Sequence, residues 1–253
     1  MGNIATSIFQ MSSWSMKTPA PYSAFHILFG GAGILTAIYL AWNMSKKQPF
    51  HVLFFCGLIL AASELYKQGF LYYIVNGQQY DWWYFPFQLC SIPMYLCLIL
   101  PFAAKFGRKW ERLLCTFMYC YNLPGSILVF AAPYGMMHPY WILTIHSFMW
   151  HILLVFIGLL IAFSGMGSVS WKGFPGSTGL FLACCGIATA VNILAGPYGY
   201  PDMFYITPYY PTTQPFFSTI AEQFGIMAGD LAYIAAIIMG AFILHLIYRR
   251  YHR

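Results

Sequence analysis

The feature that most constrains this chain is a series of long apolar stretches, separated by short polar segments or segments rich in glycine and proline. A helix needs about 20 apolar residues to cross the hydrocarbon core of a bilayer. Seven stretches reach or approach that length, at residues 24–42, 50–75, 85–104, 113–132, 140–163, 178–194 and 220–248. The sequence therefore predicts an all-α, polytopic membrane protein with seven transmembrane helices.

Composition supports a single membrane domain. Only 7% of the 253 residues are charged and 20% are aromatic, whereas soluble domains carry about 25% charged residues. Tyr, Trp and Phe are abundant where the apolar runs end, as at membrane interfaces. No polar stretch is long enough for a second domain, so we predict one helical bundle over residues 1–253, with an interfacial arm at 1–23. Nothing indicates nucleic-acid binding.

Basic residues predict the orientation. They follow the first, third, fifth and seventh stretches, as Lys46, Lys47, Lys105, Arg108, Lys109, Arg112, Lys172, Arg249, Arg250 and Arg253. The opposite loops contain no Lys or Arg, and the arm has only Lys17. The positive-inside rule then places the N-terminus outside and the C-terminus in the cytoplasm. In a prokaryote this means a multi-pass protein of the plasma membrane.

Several polar residues lie within the apolar stretches, where they are costly and usually face a bundle interior. In the second stretch Glu64, Lys67 and Gln68 share one helical face. They are interpreted either as an ion pair that joins helices or as part of a substrate site. The depth of each stretch places these and further polar residues in the outer half of the bundle. We assign as substrate-binding Glu64, Lys67, Gln68, Asn122, Ser147, Asn192, Tyr198 and Asp230.

One cysteine has a setting suited to chemistry. The seven cysteines show neither a disulfide nor a zinc pattern, and a buried cysteine normally behaves as a small hydrophobe. Cys90, however, follows Pro86 near the predicted start of the third helix, where proline suits the first turn. His151 lies on a polar stripe with Ser147 and is the preferred base. His146 lies on an apolar stripe and remains the alternative.

A Cys–His pair that faces acyl chains indicates acyl transfer through a thioester, with membrane phospholipids or acylated lipids as partners. The same pair could serve a lipid hydrolase, and the polar cavity could belong to a non-enzymatic binder or transporter. The sequence contains no HExxH, Gly-x-Ser-x-Gly, Walker or dinucleotide fingerprint, so we expect neither a metal nor another cofactor.

The segment 86–92, Pro-Phe-Gln-Leu-Cys-Ser-Ile, resembles the Leu-Pro-Leu-x-Leu-Cys-Ser segment of the bacterial YwaF-like membrane proteins. These are related to the animal membrane acyltransferase of polyunsaturated ether phospholipids. The order Cys90, His151, then Asn192 before an aromatic loop is also similar. The resemblance implies that Cys90 accepts the acyl group and that His151 is its base. Pro197 stands where the family's loop usually has Asn.

The aromatic loop at residues 196–217 is rich in Pro, Tyr and Gly. Two interpretations are open. The loop is either a lid packed on the outer mouth of the bundle or an interfacial loop that rests on lipid headgroups.

Overall fold

A computed structural model gives the conformation of residues 4–252, which is mostly helical. This part of the chain forms ten α-helices: α1 (Ile4–Gln10), α2 (Ala24–Met44), α3 (Pro49–Phe70), α4 (Ile92–Lys105), α5 (Arg108–Phe117), α6 (Leu123–Leu128), α7 (Trp141–Ser164), α8 (Gly173–Ala195), α9 (Phe217–Phe224) and α10 (Ile226–Tyr251). Two π-helical turns, Leu71–Val75 and Met118–Asn122, follow α3 and α5. Residues 4–252 contain no β-strand, so the all-α prediction is confirmed. Residues 1–3 of the predicted arm and Arg253 lie outside the described part.

Five of these helical segments are long and apolar enough to cross a membrane, counting residues 4–252 only. They are Ala24–Met44, Pro49–Val75, Trp141–Ser164, Gly173–Tyr198 and Ile226–Tyr251. A shorter apolar segment spans Leu89–Lys105. The structure thus confirms a helical chain with five helices able to cross a membrane by length and composition within residues 4–252, so five of the seven predicted spans meet the length criterion.

The third predicted helix begins at Ile92 rather than at residue 85. Phe85 has an extended ψ of 131°, because the ring of Pro86 disfavours the helical conformation in the preceding residue. A 3-10 turn, Leu89–Ser91, then leads into α4. Cys90 therefore lies in the turn that precedes α4. The sequence had placed it inside the predicted helix, one turn from its start, and that placement is wrong.

Two other predicted helices are interrupted. The stretch predicted at 113–132 divides into α5 and α6 around a π-helical turn, beside Pro124, which cannot donate the helical hydrogen bond to Cys120. The stretch predicted at 220–248 breaks at Gly225, whose φ of 95° and ψ of 156° are suited to glycine. Glu222 and Asp230 consequently lie on different helices.

Close packing joins α3 to its neighbours. A Cβ on Gly57 would lie 2.8 Å from the Cβ of Cys97, so glycine permits the contact with α4. Near the other end of α3, Gln68 Nε2 donates to the carbonyl oxygen of Tyr84 at 2.5 Å. The polar face of α3 therefore borders the segment that carries Cys90.

The N-terminal arm and the C-terminus lie at opposite ends of α7. In the arm, the ring of Trp14 is 5.6 Å from that of Trp141, the first residue of α7. At the other end, His252 Nε2 donates to Ala162 O at 2.7 Å. Because α7 has 24 residues, about 36 Å at 1.5 Å per residue separates its two ends.

Candidate functional site

Residues 85–91, here called the Cys90 turn, contain no α-helix, and three of their carbonyl groups accept hydrogen bonds from side chains outside the segment. The three hydrogen bonds run from Tyr95 Oη to Pro86 O (2.7 Å), from Asn122 Nδ2 to Leu89 O (2.5 Å) and from Trp150 Nε1 to Cys90 O (3.1 Å). The donors belong to α4, the second π-helical turn and α7. The turn is therefore fixed by three separate elements, which holds the position of the Cys90 backbone.

Cys90 differs from the other cysteines in its exposure. All seven are free thiols, six of them are buried, and Cys90 alone is half-buried. Cys97, two turns further along, is completely buried. Six cysteines thus fit the ordinary role of a small hydrophobe, and Cys90 is the one cysteine that is partly exposed.

The three polar residues of α3 form one connected group. Lys67 Nζ lies 2.8 Å from Glu64 Oε1, and Gln68 Nε2 donates to the same carboxylate oxygen at 2.7 Å. The Lys67 ammonium lies 6.0 Å from the centre of the Tyr84 ring. Its charge also acts on Cys90 and on His151. The structure therefore brings Glu64, Lys67 and Gln68 to the neighbourhood of the thiol.

His151 is held in one orientation by its own helix. Its Nδ1 lies 2.8 Å from the carbonyl oxygen of Ser147. Because a carbonyl oxygen only accepts hydrogen bonds, Nδ1 carries the proton and the lone pair of neutral His151 is on Nε2. Among residues 4–252, no hydrogen bond joins this imidazole to Cys90. The connection between the two residues is indirect: Trp150, which precedes His151, donates to the Cys90 carbonyl oxygen.

His146 and Ser147 complete the polar part of α7. The ring of His146 stacks on Trp150 with 5.5 Å between ring centres, and its buried Nε2 has no hydrogen-bond partner in the described part of the chain. The Ser147 hydroxyl lies 3.4 Å from Nε2 of His138. Of the two imidazoles, that of His151 is oriented by a backbone hydrogen bond, whereas that of His146 packs against an aromatic ring.

The 196–217 loop, hereafter the lid, packs on the bundle. Asn192 binds the lid through both amide atoms: Nδ2 donates to Met203 O at 3.1 Å, and Oδ1 accepts from Met203 N at 2.7 Å. From the Cys90 turn, Gln88 Nε2 donates to Asp202 O, and Gln88 Oε1 accepts from Phe204 N, both at 2.8 Å. The middle of the lid is therefore held between α8 and the Cys90 turn.

Phe204 and Tyr205, in the middle of the lid, have an unfavourable backbone conformation. Their φ values are 61° and 59°, in the left-handed region that non-glycine residues rarely adopt. The ring of Phe204 is buried and stacks on Phe87 of the Cys90 turn with 6.0 Å between centres. Packing and hydrogen bonds thus maintain a strained segment directly over the turn.

Two carboxyl groups lie under the lid. Asp202 is completely buried; its Oδ1 accepts from Thr207 N at 3.2 Å, while its Oδ2 has no partner among residues 4–252. Asp230 of α10 interacts electrostatically with Asp202, and its buried Oδ1 is also unpaired within the described residues. Burial raises the pKa of the Asp202 carboxyl from 3.8 to about 6, and the charge of Asp230 adds to the effect.

The remaining predicted binding residues have different environments. Asn122 uses Nδ2 to hold the Cys90 turn, and its buried Oδ1 has no partner among the described residues. Asn192 uses its amide to bind the lid. Tyr198 is 76% exposed and contributes no hydrogen bond to the site within residues 4–252. Substrate binding by Tyr198 therefore has no support from its position.

Sequence reasoning did not assign a role to Gln88, Trp150 or Asp202. Gln88 and Trp150 lie beside the two proposed catalytic residues in sequence, but their role is to bind backbone atoms of distant segments. Only the tertiary structure shows which carbonyl groups they meet. Asp202 stands in the polar part of the loop, and its complete burial has no sequence signal.

The described residues contain no group of three or more His, Cys, Asp and Glu side chains that could hold a metal ion. The chemistry of the site is that of a thiol, an imidazole and an ammonium group. Within the protein, these groups can form a covalent adduct, move a proton and stabilise negative charge.

The fold and this site define the class: a helical membrane protein with a half-buried thiol beneath a packed loop. The family model of the TMEM164 family matches residues 13–248. The chain therefore belongs to the TMEM164 family. No curated protein matches the chain, and no solved structure matches it.

Proposed function

We propose that this protein is a membrane acyltransferase that moves a fatty acyl chain between lipids through a thioester on Cys90. The observation that carries the proposal is the setting of Cys90. It is the half-buried member of seven free cysteines, and its turn is fixed by Asn122 and Trp150. The resemblance of segment 86–92 to the YwaF-like proteins supplies the class of reaction.

In the first step, the Cys90 sulfur attacks the carbonyl carbon of an acyl ester in a donor phospholipid. The sulfur–carbon bond forms, the ester carbon–oxygen bond breaks, and the donor leaves as a lysolipid. His151 Nε2 takes the thiol proton and passes it to the leaving oxygen. The nearby Lys67 ammonium stabilises negative charge as it develops on the reacting ester.

In the second step, the hydroxyl group of an acceptor lysolipid attacks the thioester carbon. A new ester bond forms, the carbon–sulfur bond breaks, and the acceptor's proton returns through His151 to the Cys90 sulfur. The reaction needs no oxidant and no metal. Water in place of the acceptor would make the same site a hydrolase.

We also propose that the chain crosses the membrane seven times, with α4 and the α5–α6 unit as the two shorter crossings. The opposite positions of the arm and the C-terminus along α7 support an odd number of crossings. The basic residues of alternate loops support a cytoplasmic C-terminus. Cys90 then lies towards the outer face of a plasma membrane, if the source is prokaryotic.

The acyl-enzyme test uses purified protein incubated with a phospholipid that carries a defined acyl chain. Intact-mass measurement should show an adduct of one acyl group that hydroxylamine removes. Cys90→Ala should abolish it, whereas the matched control Cys97→Ala should retain it, because Cys97 is a buried neighbour on α4. Full turnover by Cys90→Ala would refute the proposal.

Product analysis then separates the related activities. A transferase yields a new phospholipid only when an acceptor lysolipid is added, and a hydrolase releases free fatty acid without one. Specific lipid binding with neither product nor adduct would instead identify a non-enzymatic lipid binder.

A further inference from the structure

Within residues 4–252, no cationic side chain balances the carboxyl group of Asp202. The side chain is 0% exposed and its Oδ2 has no hydrogen-bond partner among residues 4–252. Beside it, the hydroxyl of Thr207 is also buried and unpaired within the same residues. A buried ionised carboxylate without a partner is strongly unfavourable. The closed lid therefore favours the protonated carboxyl group.

The groups that face Asp202 add only negative charge when they ionise. They are Asp230 and Tyr233 from α10 and, from the lid itself, Tyr205 and Tyr210. Cys90 acts on Tyr205 and Tyr233, and Cys185 of α8 acts on Tyr233. No Lys, Arg or His within the described part of the chain acts on Asp202. Ionisation of Asp202 next to Asp230 would therefore meet repulsion without compensation.

Backbone strain in the lid favours its release from the bundle. Phe204 and Tyr205 hold left-handed φ values of 61° and 59°, which relax when the segment is freed. Four hydrogen bonds from Gln88 and Asn192 oppose that release. Asp202 itself takes part in one of these bonds, because Gln88 Nε2 donates to its backbone carbonyl oxygen. Ionisation of the Asp202 side chain would therefore act close to the hydrogen bonds that hold the lid.

We propose that the lid is a proton-controlled cover, closed over the Cys90 turn when Asp202 is protonated and released when Asp202 and Asp230 are both ionised. The direction of the pH dependence follows from the direction in which the pKa of Asp202 is shifted. The pKa of Asp202 is raised from 3.8 to about 6 in the closed form. Closure is therefore strongest below about pH 4 and is lost as the pH rises through about 6. Control of access to Cys90 rests on the proposed function, whereas the movement of the lid does not.

The amide hydrogens of the lid are direct reporters of closure. Met203 N and Phe204 N donate to Asn192 and Gln88 in the closed form. Hydrogen exchange of peptides covering 201–208 would be measured by mass spectrometry at pH 5 and pH 8, for the full chain in lipid nanodiscs. After correction for intrinsic exchange, protection in the wild type should be about 10- to 100-fold higher at pH 5.

Variants separate Asp202 from other titrating groups. Asp202→Asn should keep the lid protected at both pH values, because the amide cannot ionise. Asp230→Asn should reduce the pH response by removing the like charge. The control Glu222→Gln changes an exposed carboxylate and should respond as the wild type does.

Three outcomes would overturn the proposal: equal protection of the wild-type lid at both pH values, an undiminished pH response in Asp202→Asn, or restoration of protection at pH 8 by millimolar calcium or magnesium. The last would assign the carboxyl pair to a cation. Because the wild-type measurement needs no substitution, a variant that fails to fold leaves the test intact. Lid exchange can also follow the expected pattern while the acyl-enzyme test fails, so the two proposals fail separately.

Discussion

The indole N–H of Trp150 donates to the backbone carbonyl of Cys90 over 3.1 Å. This single bond joins α7, which carries His151, to the turn that carries the thiol. The register between the proposed base and the proposed nucleophile therefore depends on a side chain that belongs to neither.

Trp150→Phe removes this donor and keeps an aromatic ring in place. A hydrogen bond of this kind contributes about 1 kcal/mol, so we expect acylation of Cys90 to slow about five-fold. The thermal midpoint should fall by about 2–4 °C. The exposed Trp110 provides the control Trp110→Phe, which should change neither quantity. An unchanged acylation rate in Trp150→Phe would contradict a positioning role.

Lys67→Met leaves the buried Glu64 without its cation. Removal of one partner from a buried pair costs about 3–5 kcal/mol, so the variant should unfold well below the wild type in a thermal melt. The double variant Glu64→Gln/Lys67→Met removes both charges and should recover much of that loss. Lys47→Met changes an exposed lysine and should melt normally. Equal stability of the single and double variants would argue against a coupled pair.

Asn192→Leu deprives Met203 of both backbone hydrogen bonds from α8. Two buried backbone groups left unpaired cost about 2–4 kcal/mol in total, and the lid should become sensitive to protease at residues 196–217. The matched control is Asn43→Leu, since Asn43 is exposed and makes one local bond to Tyr39 O. Wild-type protease resistance in Asn192→Leu would show that the lid is held by other contacts.

Gly225→Ala tests the break between α9 and α10. The φ of 95° and ψ of 156° at Gly225 suit no L-residue, so alanine should destabilise the protein by more than about 1 kcal/mol. Gly240 lies within α10, and a Cβ there would have no heavy atom within 4 Å among its neighbours. Gly240→Ala should therefore be neutral or slightly stabilising. The difference between the two melting temperatures is the measurement.

The sequence predicted the helical class and most of the long helices, because hydrophobic length depends on local composition. It did not predict where the third helix starts, since the effect of Pro86 on Phe85 was weighed against an apolar stretch that is typical of a membrane helix. The polar group Glu64, Lys67 and Gln68 was predictable, because residues at these spacings share a helical face.

The side chains that hold the Cys90 turn and the lid in place were not predictable from the sequence. Gln88, Asn122 and Trp150 bind backbone atoms, and a sequence pattern does not show which carbonyl group a distant side chain will meet. Asn192 was assigned to substrate, yet its amide binds Met203 in the lid. A polar residue inside an apolar stretch signals a buried partner, but that partner can be the protein's own main chain.

The unequal exposure of the cysteines has a practical consequence for spectroscopy. Six thiols are buried and one is half-buried, so we expect a thiol reagent to react with Cys90 before the other cysteines. A lipid-soluble fluorophore or spin label that carries a maleimide should attach at Cys90 without any prior substitution. The conformation of the segments around it could then be followed in a bilayer by a probe at the position of interest.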